Sequence, residues 1–116
     1  MTTNNTDLRL KLKLCHIEGE YLHFLMQEHI NFDGHTSTSV LQRLWDRTFY
    51  KAYPGKGKTK TVKLWVDEAE VLFRFVVWHS DTYGDYEKAI AVQLGTRLAK
   101  LCEEAATSFA NQNLYA

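Results

Sequence analysis

The chain has 116 residues, 45% hydrophobic and 24% charged, which is the composition of a folded domain and not of a disordered or low-complexity segment. Two cysteines, Cys15 and Cys102, are too few to staple a small secreted fold and point to a reducing compartment. Fourteen basic and fourteen acidic residues leave zero net charge, which argues against a protein that coats nucleic acid without selection.

The N-terminus, MTTNNTDLRL, lacks the basic-then-apolar order of a signal peptide. No apolar run approaches the ~20 residues that span a bilayer. The expected location is therefore cytoplasmic, in a single domain over 1–116. The charge is unevenly spread: residues 1–63 hold ten basic and six acidic side chains (+4), residues 64–116 four and eight (−4). The cations concentrate at 9–13 and 51–63.

Leu8 to Leu14 alternates leucine with Arg9, Lys11 and Lys13, which predicts a strand with one leucine face and one cationic face. A helix would scatter both residue types around its axis. Apolar residues at 17, 21, 22, 25 and 26 predict a helix from Ile17 to His29. Asn31-Phe32-Asp33-Gly34 breaks it, and Thr36, Ser37 or Thr38 can cap a second helix with the stripe Val40, Leu41, Leu44, Trp45, Thr48 and Phe49. Tyr53-Pro54-Gly55-Lys56-Gly57 is a basic connection. Thr59 to Leu64 alternates weakly, and Asp67 with Glu70 resembles a capping box before a helix carrying Val71, Leu72, Phe75 and Val76. Ser80 to Asp85 breaks that helix, and a longer one runs from about Tyr86 to Ala110.

The order strand, helix, helix occurs twice. A fifty-residue shift with no gap places Lys13 on Lys63, Leu14 on Leu64, Glu18 on Glu68, Glu20 on Glu70, Leu22 on Leu72, His29 on His79, Gly34 on Gly84, Leu44 on Leu94 and Arg47 on Arg97. The glycine falls in the inter-helix turn both times. This pattern predicts an internal duplication, with repeats over 8–53 and 59–110.

A short strand with polar alternate positions, a helix, a glycine-containing turn and a second helix resembles the ribbon-helix-helix DNA-binding superfamily (the MetJ, Arc and CopG class). Two units in one chain are similar to the tandem TraY type. The resemblance implies a mainly α fold with a two-stranded antiparallel β-ribbon, β-α-α repeated twice as a pseudo-dimer. It implies sequence-specific binding of double-stranded DNA, as in a transcriptional repressor or a plasmid or phage accessory factor. The size of one unit points the same way, since about 45 residues bury too little apolar surface to stand alone.

A two-stranded ribbon fits the major groove. The expected base-contacting residues are Arg9, Lys11 and Lys13 from the first strand and Thr59, Thr61 and Lys63 from the second. Arg and Lys can pair with guanine, and Thr can meet a thymine methyl. Phosphate contacts are expected from Thr36, Ser37 and Thr38 at the second helix start, and from Lys51, Lys56, Lys58 and Lys60. The equivalent stretch of the second repeat, Asp85-Tyr86-Glu87, would repel a phosphate.

The same residues admit other readings. The lysines of the first strand can serve only to block edge-to-edge aggregation. Pro54 to Thr59 resembles a phosphate-binding loop, but a helix precedes it and a strand follows, the reverse of what that motif needs. Glu18, Glu20, Glu68 and Glu70 are expected near helix starts, opposing the dipole favourably. No metal, cofactor, small-molecule substrate or enzymatic activity is expected from the spacing of the histidines, cysteines and carboxylates. The first helix of the second repeat is apolar nearly all round. Phe73, Val77 and Trp78 are therefore expected to be covered, by Phe109, Leu114 and Tyr115 or by a second copy of the chain. A protein-interaction module on the same fold, such as an antitoxin or a phage inhibitor, is the alternative function.

Overall fold

The computed structural model describes residues 9–29, 38–51 and 56–114. Its order is β1 (Leu10–Cys15), α1 (His16–His29), α2 (Thr38–Leu44), β2 (Thr59–Leu64), α3 (Val66–Trp78) and α4 (Asp85–Leu114). The molecule is mainly helical, with one two-stranded antiparallel sheet. The ribbon expected from 8–14 and 59–65 is present over Leu10–Cys15 and Thr59–Leu64, in the register Leu10↔Leu64, Lys11↔Lys63, Leu12↔Val62, Lys13↔Thr61, Leu14↔Lys60 and Cys15↔Thr59; Leu8 lies outside the described residues.

Period-2 alternation sorts the ribbon into two faces. Leu12, Leu14, Val62 and Leu64 point inward and are buried. They meet Leu22, Leu25 and Met26 of α1, Leu72 and Val76 of α3, and Leu94 and Leu98 of α4 in one core. Leu41, Leu44 and Phe49 close it from the α2 side. A two-stranded ribbon alone is marginal in water, and these helices supply the apolar surface that holds it.

Two local features depart from the sequence reading. The helix after Thr38 does not stay regular: Trp45–Phe49 forms one π turn, with the Tyr50 N–H donating to the Trp45 carbonyl at 2.9 Å. The wider turn turns Phe49 fully into the core. Its carbonyl accepts a hydrogen bond from His23 Nδ1 at 2.6 Å. Such turns are often found where packing or function requires a shifted register. The second departure is at α3, where the acid that reaches back to the helix start is Glu68 and not Glu70. The Trp65 N–H donates to Glu68 Oε1 at 2.8 Å. Helix spacing decides this, because helix formation begins at Val66 and puts Glu68 in the third position.

The turns have identifiable causes. Gly57 has φ +82°, a left-handed conformation that suits glycine between Lys56 and Lys58. Gly84 opens α4: its N–H donates to Glu87 Oε1 at 3.1 Å, and its carbonyl accepts from the Lys88 N–H at 3.0 Å. Lys88 in turn holds Asp81 at 2.8 Å across the α3–α4 turn. Among the described residues, no helix is long and apolar enough to cross a membrane.

Candidate nucleic-acid interface

The outward face of the ribbon collects residues that are far apart in sequence. Lys11, Lys13 and Cys15 of β1 alternate with the buried leucines and are exposed. Thr59, Thr61 and Lys63 of β2 do the same from the other strand. The register sets Lys11 opposite Lys63, and Lys13 opposite Thr61. Arg9 stands just before β1, exposed, with its guanidinium 5.3 Å from the centre of the Trp65 ring. Trp65 follows β2 and is itself 41% exposed, a flat aromatic group beside the cationic strip. Positions 9, 11, 13, 15, 59, 61, 63 and 65 include four cations and no acid. All six residues expected to contact bases are therefore at one exposed surface. Trp65 was not among them, because its position outside the alternating run gave no signal.

The residues expected to contact phosphate divide differently. Lys51, Lys56 and Lys58 are exposed. Lys51 lies against the Tyr50 ring, 5.5 Å from its centre. Lys60 shares the inward parity of Val62 and Leu64 and is half-buried opposite Leu14, off the face formed by Thr59, Thr61 and Lys63. Thr38 begins α2, whereas Thr36 and Ser37 lie outside the described residues. At the start of α4, Glu87 already occupies the Gly84 N–H, and Asp85 and Glu87 add negative charge there.

Behind the ribbon stand two buried carboxylates that the sequence reading assigned only to helix dipoles. Glu68 has its side chain fully buried and accepts from Arg47 Nη2 at 2.8 Å, Arg47 Nη1 at 2.9 Å and Arg43 Nε at 2.9 Å. Arg47 Nη2 also donates to the Lys63 carbonyl at 3.1 Å. Glu18, 2% exposed, accepts from the Cys15 N–H at 3.0 Å and from Gln93 Nε2 at 2.6 Å. Arg97 Nη2 lies 2.6 Å from Glu18 Oε1, and Arg97 Nη1 donates to the Lys13 carbonyl at 2.7 Å. Arg47 and Arg97 thus each tie a helix to the backbone of a ribbon lysine whose side chain is exposed to solvent. That arrangement orients the exposed face from behind.

Burial by itself would push the Glu68 carboxyl up. The hydrogen bonds from Arg47, the Trp65 N–H and Arg43 outweigh it and hold Glu68 below the ordinary carboxylate value. A buried carboxylate fed by this many donors stays ionised and fixed, with no lone pair left for catalysis.

The apolar patch of α3 resolves into two parts. Phe73 is half-buried, packs against the core and, with Val77, lines a shallow groove between α3 and α4. Val77 is 50% and Trp78 72% exposed. The side chains of Phe109, Leu114 and Tyr115 lie outside the described residues. Among the described residues, no cluster of three or more His, Cys, Asp or Glu side chains has metal-binding spacing. No protein-family model, curated protein or solved structure matches this chain.

Proposed function

We propose that the chain is a tandem ribbon-helix-helix protein that reads double-stranded DNA with its β-ribbon in the major groove. The observation that carries this reading is the exposed outer face of the ribbon, where Arg9, Lys11, Lys13 and Lys63 stand with Thr59 and Thr61 and no acid. A face with this mixture offers donors to guanine, methyl contact to thymine and a field attractive to phosphate.

The internal two-fold that the reading requires has four supports. A fifty-residue shift maps Leu12 on Val62, and these two pair with each other at the middle of the ribbon. Under the same shift, the pair Leu10↔Leu64 becomes Leu14↔Lys60 read in reverse. From 10–29 to 60–79 the sequence of buried, half-buried and exposed positions is the same except at 21/71 and 29/79. The ion pairs also repeat: Glu18–Arg97–Lys13 carbonyl on one side, Glu68–Arg47–Lys63 carbonyl on the other. Each crosses from one strand-helix-helix unit to the other, as contacts at a subunit boundary do. Finally, His29 and His79, which the shift equates, stack with ring centres 4.0 Å apart, an arrangement that suits equivalent residues beside a local two-fold axis. The π turn at Trp45–Phe49 has no counterpart in α4, which is α-helical over residues 95–99, yet Arg47 and Arg97 keep equivalent partners.

The second reading, a protein-interaction module, is favoured by the start of α4, where Glu87 fills the position a phosphate would need. On either reading, Val77 and Trp78, with the half-buried Phe73 beside them, are the surface we assign to self-association. Selection of binding sites from a random duplex pool separates the two functions. DNA reading predicts an enriched sequence of a few base pairs, protected in the major groove. A pool that stays unenriched at low salt favours the interaction module.

A further inference from the structure

Away from the ribbon, α1 and the start of α4 enclose a cleft of about 450 Å³. Its volume is in the range of small-molecule sites. Tyr21 lines it and is 5% exposed, and its hydroxyl is buried with no hydrogen-bond partner among the described residues. Nearly all buried polar groups in folded proteins have a partner, so an orphan hydroxyl on a residue that lines a cavity marks a place where a polar ligand atom would be stabilised, once a small movement of the Tyr21 ring opens the hydroxyl, which is closed to water without ligand. Burial, with Tyr83 and Glu87 adding to it, pushes the Tyr21 phenol up to about 12. The group is therefore a neutral hydroxyl at any physiological pH, able to accept an N–H.

The walls are aromatic and the rim is acidic. Phe24 and Tyr83 meet at 5.3 Å between ring centres, inclined by 59°. The Tyr83 hydroxyl is hydrogen-bonded to His29 Nε2 at 2.8 Å, which fixes that ring as a wall. Tyr86 adds a third, exposed ring, and Glu20 and Glu87 line the same space. Aromatic faces attract cations within about 6 Å, and carboxylates at the rim add to that attraction. Lys88, the basic residue next to Glu87, is held by Asp81, and His16 lies 3.1 Å from Glu20, so Glu87 is the rim carboxylate that would meet a cation.

We propose that this cleft binds an organic cation on a short aliphatic stem, an amine or a guanidine, with its N–H groups on the Tyr21 hydroxyl and the Glu87 carboxylate. The stem would pack on Phe24 and Tyr83. The proposal does not rest on DNA reading. The ligand touches a helix from each strand-helix-helix unit, so its site stands or falls with the α1–α4 contact and not with the ribbon.

The test is an NMR titration of the full chain, following the ring signals of Phe24, Tyr21 and Tyr83. The probes are n-butylguanidinium, n-butylammonium and uncharged 1-pentanol, with a blocked peptide carrying one central arginine as a further arm. The expected result is that the cations shift these rings and bind about tenfold more tightly than pentanol, the worth of one charge-assisted hydrogen bond. Tyr21→Phe and Glu87→Gln each weaken the cations about three- to tenfold and weaken pentanol, whose hydroxyl makes only a neutral hydrogen bond, by less. Glu103→Gln, which removes the same charge elsewhere on α4, leaves every affinity unchanged. Binding of the free cations assigns the ligand to a small molecule. Binding of the peptide alone, with the same dependence on Tyr21 and Glu87, assigns the cation to a partner protein's side chain. Pentanol binding as well as butylguanidinium, or a Tyr21→Phe variant that folds and binds the cations like wild type, overturns the proposal.

Discussion

Replacing Glu68 by Gln removes one charge and little volume from the middle of a buried network. Four hydrogen bonds converge on this carboxylate, three from Arg47 and Arg43 and one from the Trp65 N–H. A glutamine oxygen can keep the Trp65 bond, but its NH₂ then faces guanidinium donors. Breaking a fully buried pair by removing one partner costs roughly 3–5 kcal/mol. That figure must be discounted here, because Arg47 and Arg43 are 37% and 49% exposed and water screens them once released. The expected loss is therefore about 2–3 kcal/mol. Glu18→Gln should cost about 1 kcal/mol less, because Gln93 can turn its amide to donate or accept and only Arg97 loses a charged partner. Urea unfolding followed by circular dichroism measures both, as a lowered midpoint with an unchanged slope. A Glu68→Gln protein within about 0.5 kcal/mol of wild type, or one more stable than Glu18→Gln, would refute the role given to this network.

The same carboxylate sets an acid limit. Its folded pKa lies below the ordinary value of 4.5, so its stabilisation is complete above about pH 4.5 and is lost as pH falls through the folded pKa. Stability measured from pH 7 downward should begin to drop below that point, and the drop should shrink in Glu68→Gln. Tyr21→Phe, which removes a buried hydroxyl without a partner, should raise stability by about 1 kcal/mol in the absence of ligand; a loss of that size in the same urea assay counts against an orphaned hydroxyl. Trp78→Glu should leave the unfolding midpoint within about 0.5 kcal/mol of wild type, because the ring is 72% exposed, while sedimentation shows any self-association weakened. Unfolding of that variant would instead make Trp78 part of the core.

Much of the architecture was legible because it depends on local periodicity. Alternation over Leu8–Leu14 specified both faces of β1, and the apolar spacing placed α1, α3 and α4 to within a few residues. The π turn at Trp45–Phe49, which ends on the fully buried Phe49, was not legible, since no residue there is a helix breaker. The Glu–Arg network was hidden for a different reason. Arg47 meets Glu68 across 21 residues, and Lys13 meets Arg97 across 84, so no local pattern joins them. A signal was nonetheless present. Lys13/Lys63, Glu18/Glu68 and Arg47/Arg97 were three of the identities in the fifty-residue shift, and they turn out to be the members of the two networks. The others include Leu14/Leu64, Leu22/Leu72 and Leu44/Leu94, all fully buried. The six ribbon residues were found by parity alone. Trp65 and the Tyr21 cleft were missed because exposure beside a strand end and a missing hydrogen bond have no signature in one sequence.

The claim that the ribbon is a reading head is tested most directly by quantitative mobility shift on a DNA selected by the wild-type chain. The comparison is with a Lys11→Ala/Lys13→Ala/Lys63→Ala variant whose circular dichroism and urea midpoint match wild type. All three side chains are exposed, so the fold should survive their loss. At about 1 kcal/mol or more for each contact, affinity should fall at least about 100-fold, and preference over unrelated DNA should fall with it. A folded triple variant that binds the selected DNA as tightly and as selectively as wild type would contradict the account.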